Sequence, residues 1–183
     1  MSDYTPTTWV ANTTQATAVR MNNIEDQIEA IDKVVDTGGM TYGTIHQSQN
    51  ATATVITSSG SAEQYTQFTQ NGSSNNMTPD ASNNQLTIDD SGVYFIMSTI
   101  TAESVGGGAI KVSFNVYKNA TTVQSLHAHR NLAGGGGDVG SIGLSGIAHL
   151  TAGDDLKIFV SNETNTNNVI LEDVTLSAIK MST

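Results

Sequence analysis

IKVSFNVY, residues 110–117, sets Ile110, Val112, Phe114 and Val116 in alternation with Lys111, Ser113, Asn115 and Tyr117. Successive side chains of a strand point to opposite faces, so this period of two places the first set on a core face. The same texture runs from Met40 onward as short segments separated by Gly, Asn, Asp and Ser. Strands are expected at Thr41–Gln47, Thr52–Thr57, Gln85–Ile88, Val123–Arg130, Ser141–Leu150 and Leu156–Val160, with Val169–Met181 in one or two pieces. Val93, Phe95 and Met97 alternate with Tyr94, Ile96 and Ser98, which makes that strand apolar on both sides and places it within a sandwich or at a subunit contact. By composition, Ser58–Ala62, Asn71–Asn84, Val105–Gly108, Gly134–Gly137 and Asn162–Asn168 read as loops. Eight or more short strands in about 140 residues predict a sandwich or jelly roll.

Composition agrees and excludes some functions. Of 183 residues only 13% are charged and 37% hydrophobic, which suits short strands and turns better than helices. The formal net charge is -10 and the only arginines are Arg20 and Arg130, so no basic stripe is present to neutralise nucleic-acid phosphates. There is no cysteine, hence neither disulfides nor thiolate metal ligands. No stretch approaches the length of a membrane span, so membrane insertion is not expected. MSDYTPTTWV lacks the basic and apolar regions of a signal peptide, and cytoplasmic synthesis is the expectation.

Ahead of the strands, TAVRMNNIEDQIEAIDKVV, residues 17–35, has a helical period. Met21, Ile24, Ile28, Ile31 and Val35 fall at gaps of three and four, the heptad spacing of helices that wrap around each other. With Met21, Ile28 and Val35 at a, Ile24 and Ile31 occupy d, and β-branched residues there favour three strands over two. Arg20 at g faces Glu25 at the next e in a parallel bundle. The alternative is an amphipathic helix packed on its own domain. Thr13 or Thr14 can cap the helix and Gly38-Gly39 can end it. Under three heptads cannot hold three chains unaided, so the strand-rich part must supply most of the association. Residues 1–15 hold Pro6 and the only Trp, Trp9, with no periodicity, and read as an extended arm. Trp9 either tucks against its own helix or inserts into a pocket on a partner.

Two resemblances follow. YTPTTWVANTTQATAVRMNNIEDQIEAID, through Trp9, Met21, Asn22, Ile24, Glu25 and Ile28, resembles a recurrent opening of tailed-bacteriophage fibre and appendage proteins. It implies a trimeric appendage on the virion surface, held to a capsid or tail protein by its arm through Tyr4, Pro6 and Trp9. Further on, LTIDDSGVYFI (86–96), FNVYKNATT (114–122), GLSGIAHLTAGDDLKIFV (143–160) and ILEDVTLSAIKM (170–181) resemble, in that order, the jelly-roll heads of the tumour necrosis factor and complement globular-head superfamily. Ala120 stands where the hairpin of that family usually has Gly. This second resemblance implies a homotrimer. The expected organisation is an arm (1–15), a parallel three-helix coiled coil (16–37) and a jelly-roll β-sandwich head (38–183). The expected role is that of a non-enzymatic short head fibre or capsid decoration whose head binds a host surface polysaccharide or receptor. A tail-attached receptor-binding fibre or adhesin, and a polysaccharide-degrading tailspike domain, are the alternatives.

Few residues suggest chemistry. No GxSxG elbow, HExxH pair or phosphate loop occurs, so no catalytic residue and no organic cofactor is expected. His127 and His129 share one face of a strand; if that face looked down a threefold axis, three chains would offer six imidazoles to a transition metal. The alternative is two solvent-facing histidines. His149, between Ala148 and Leu150, reads as a buried, hydrogen-bonded histidine. Asp89-Asp90, Asp154-Asp155 and Glu172-Asp173 do not follow calcium-loop spacing and read as turn and edge residues.

Overall fold

The computed structural model describes residues 22–28, 39–135 and 138–182. Two compact units are present, Met1–Gly39 and Met40–Thr183. In the first, residues 22–28 are helical, with Ile24 52% and Ile28 41% exposed on the single chain. Tyr4, Pro6, Trp9, Met21, Ile31 and Val35 lie outside the described residues. Gly39 adopts φ 71°, the left-handed conformation expected of it.

The second unit holds twelve strands: β1 Tyr42–Gln47, β2 Ala53–Thr54, β3 Glu63–Gln64, β4 Gln70–Asn75, β5 Met77–Asp80, β6 Gln85–Ile88, β7 Gly92–Ser104, β8 Ile110–Lys118, β9 Thr121–Leu132, β10 Gly140–Leu150, β11 Asp155–Asn162 and β12 Val169–Ser182. They form two antiparallel sheets. Sheet A runs β10-β7-β12-β1-β4 with β2 beside β12, and sheet B runs β5-β6-β11-β8-β9 with β3 beside β11. From β9 to β12 the chain alternates between sheets at every step.

The alternation in β8 works as expected: Ile110, Val112, Phe114 and Val116 all lie in the core. There they join Ile45, Tyr65, Leu86, Ile88, Leu126, Leu132 and Leu150 between the sheets. In β7 the core takes Tyr94, Ile96, Ser98, Ile100 and Ala102, leaving Val93, Phe95 and Met97 on the outer face of sheet A.

Three readings change. The loop expected at Asn71–Asn84 contains β4 and β5, joined at Asn76 in the left-handed conformation (φ 52°). These are the edges of sheets A and B, where one hydrogen-bonded neighbour suffices and polar side chains face water, so no apolar alternation marks them. Pro79 sits in β5, as an edge strand permits. Thr52–Thr57 forms a ladder only at Ala53–Thr54. His149 is exposed, not buried: it lies opposite Val93 on the outer face of sheet A, while Leu150 turns inward. The inward partners next along β10, Gly146 and Ala148, are so small that the strand's parity is faint in sequence.

Two turns fit the expected signatures. The β8–β9 hairpin closes through Asn119-Ala120, and Asn119, at φ 55°, supplies the left-handed residue. Positive φ at the first turn position alone removes the need for Gly at Ala120. Between β10 and β11, Gly153 (φ 92°) donates its N–H to Ile88 O at 2.7 Å. At the other end of the sandwich the two Gly-rich loops touch backbone to backbone. Gly135 N–H donates to Gly106 O at 2.6 Å, and a Cβ on Gly134 would lie 2.1 Å from Gly108 N.

Candidate functional site

Sheet register assembles an apolar row on the outer face of sheet A. Ile147 lies opposite Phe95, Phe95 opposite Ile179, and Ile179 opposite Tyr42, so one row crosses four adjacent strands. The next row is Ser145, Met97, Ser177 and Thr44, and the one beyond is Gly143, Thr99, Thr175 and His46. Thr44 and Ser177 hydroxyls meet at 2.9 Å. Ile147 is 56% exposed, Tyr42 37% and Met97 36%, and Met40 and Met181 nearby in the chain are also exposed. None of these three rows carries Asp, Glu, Lys or Arg, on a chain of net charge -10. Three contiguous charge-free rows, one of them apolar and partly exposed, suit an association surface.

Sheet B presents a different outer face. His127 and His129 lie together there on edge strand β9, opposite Asn115 and Ser113 of β8, with ring centroids 4.4 Å apart. The expectation that they share a face is met. His129 Nε2 lies 2.7 Å from Glu163 Oε1, and Lys111 Nζ lies 2.7 Å from the other oxygen, Oε2. Lys111, donating to Glu163, is the main cause holding that carboxyl below its ordinary value, and His129 adds to it. Glu163, in the loop after β11, was not marked by any sequence signal. Beside this cluster Tyr117 and Phe159 stack with centroids 4.0 Å apart.

The remaining carboxylates tie turns together, as their sequence positions predict. Asp89 accepts from Thr78 Oγ1 at 2.8 Å and Asp90 pairs with Lys180 at 2.6 Å. Asp155 accepts from Thr87 Oγ1 at 2.7 Å and Gln85 Nε2 at 3.0 Å. Asp173 accepts from Gln49 N at 3.1 Å. Asp154 accepts from Thr151 N and Asn119 Nδ2, both at 2.8 Å, with Lys118 Nζ at 3.6 Å. Burial alone would raise the Asp154 carboxyl, but these donors and the lysine hold it below its ordinary value of 3.8. A carboxyl depressed on folding contributes stability that is full above its unfolded pKa and is lost as pH falls through the folded one. Denaturant midpoints measured across pH should therefore fall below about pH 4, and Asp154→Asn should flatten that limb; an unchanged limb would remove Asp154 from the acid response.

The Tyr94 hydroxyl, buried under sheet A and donating to Asp90 O, is pushed up to about 12 by burial, with Asp90 and Asp89 adding. It is a structural strut.

Comparison with known proteins places the fold and nothing finer. No family model matches the chain, and no curated protein sequence does. Among solved structures it is similar to the globular domain of zebrafish complement 1qA, at 10% identity over 78% of this chain and 97% of that one, with a TM-score of 0.53. It is also similar to murine APRIL at pH 5.0, at 14% identity over 76% and 99%, with a TM-score of 0.48. The architecture is mainly β, a two-sheet jelly-roll sandwich of the complement globular-domain kind.

Proposed function

We propose that this chain is a non-enzymatic, homotrimeric surface protein of a bacteriophage particle, a short head fibre or capsid decoration that displays its jelly-roll head. The observation that carries the association is the three charge-free rows on the outer face of sheet A, with Ile147, Phe95, Ile179 and Tyr42 in register. Gathering three copies of such a face about a common axis removes its apolar area from water. The heptad at Met21, Ile24, Ile28, Ile31 and Val35 supports the count of three and a parallel arrangement. The particle location rests on the N-terminal resemblance, with Tyr4, Pro6 and Trp9 as the anchor. A head so displayed is suited to host polysaccharide or receptor contact.

Deleting residues 1–12 tests the reading. The truncated protein should remain a soluble trimer by light scattering yet fail to decorate particles, as seen by labelled-antibody electron microscopy. Normal occupancy by the truncated protein would remove the arm as anchor, and absence of the full chain from particles would remove the virion role.

A further inference from the structure

We propose that His127 and His129 of a single chain form a two-imidazole site for a borderline divalent transition ion, Cu2+, Ni2+ or Zn2+, with Glu163 orienting one ring. The two rings stand on one face of strand β9, centroids 4.4 Å apart and planes at 71°. Both side chains are exposed, so an ion and its waters reach them without any rearrangement of the sandwich. The χ2 torsion of histidine is broad, so the His127 ring can turn a lone pair toward Nδ1 of His129 while Glu163 keeps the His129 ring in place.

Glu163 is the second independent feature. An ionised carboxylate only accepts hydrogen bonds, so at 2.7 Å the Nε2 of His129 must carry the hydrogen and Nδ1 keeps its lone pair. Lys111, 2.7 Å from the other oxygen, holds the carboxylate in place. A metal-bound imidazole characteristically gives its other N–H to a carboxylate, which fixes the tautomer and raises the basicity of the ligating nitrogen. That outer half of a metal site is already built. Imidazole nitrogen suits copper, nickel and zinc, and not calcium or magnesium. Among the described residues no group of three or more His, Asp or Glu is placed to hold an ion, so water completes the coordination sphere.

The site belongs to each chain separately. β9 is the edge of sheet B, whereas the apolar row lies on the outer face of sheet A, the opposite side of the sandwich. A face turned toward a threefold axis through sheet A leaves His127 and His129 pointing outward, and six imidazoles do not converge. The inference therefore holds for a monomer as for a trimer.

Calorimetric titration of the tag-free full chain with Cu2+ and with Ni2+ at neutral pH tests it. The expected result is one ion per chain, abolished by His127→Gln and by His129→Gln and unchanged by His46→Gln or His149→Gln. Glu163→Gln should keep that stoichiometry and weaken binding by about 10–100-fold. Far-UV spectra and melting temperatures equal to those of the parent separate lost binding from lost folding in these exposed positions. No saturable binding, binding indifferent to His127→Gln, or one ion per three chains would overturn the proposal; Glu163→Gln with unchanged affinity would remove Glu163 from it.

Discussion

Replacing Phe95 by aspartate is expected to turn the proposed trimer into a folded, soluble monomer of 19.2 kDa. Phe95 lies in the apolar row between Ile147 and Ile179, on a face whose three central rows carry no formal charge. In an isolated chain the new carboxylate points to water and costs the fold little. In the assembly each carboxylate would be taken out of water with no cation on that face to meet it, a penalty of several kcal/mol per ion. Light scattering behind size exclusion should show the mass drop to one third, with the far-UV spectrum retained. Val55→Asp is the control: Val55 is more exposed, at 63%, but lies beyond the short strand β2 and outside the row. A trimeric Phe95→Asp protein would place the association surface elsewhere and remove the main support for the proposed assembly.

Phe114→Ala should be the most destabilising single truncation of the head. Phe114 is fully buried in β8, opposite Val160 of β11 and Ala128 of β9, at the centre of sheet B. Truncating such a ring removes its transfer free energy and leaves a cavity that two well-ordered sheets cannot collapse, together about 3–5 kcal/mol. For a domain of this size that corresponds to a fall in melting temperature of about 10 °C or more. Calorimetry on the Phe95→Asp background reads the effect without a contribution from association. A shift of only a degree or two would mean that the neighbouring strands close over the gap.

The residues that made the fold legible are those whose strands bury one face only. β6 shows it best, because burial on a single side imposes a period of two on the chain, and β8 keeps the same period by setting apolar residues toward the core and the buried polar Ser113 and Asn115 on its outer face. β4 carries no such imprint, its residues being polar and exposed or half-exposed, and β5 buries only Met77, too little to show a period. His149 misled because, apart from Leu150, the inward residues next along its strand are Ala148 and Gly146, and side chains that small do not declare a direction. The proposed association surface was half legible: Val93, Phe95 and Met97 stood out as a second apolar set, but Ile147, Ile179 and Tyr42 join them only through a register that no local pattern contains. The histidine pair was legible from its i, i+2 spacing. Glu163, 34 residues further on, was not, because a loop closing across a sheet leaves no periodic trace.

The position of β12 in sheet A constrains the order of events during synthesis. It lies between β7 and β1 and is the sole bridge joining the β10-β7 pair to the β1-β4 pair. Until Val169–Ser182 has left the ribosome, β1 therefore has no long partner, and sheet A exists only as two unconnected halves. Pairings over such sequence distances form late and slowly. In the proposed trimer the heptad stretch, Met21 to Val35, is synthesised well before that moment, which would let neighbouring nascent chains meet through it while their heads are still open. In that assembly register among the chains would be set first, and the pairing of β12 with β7 and β1 would then close each head.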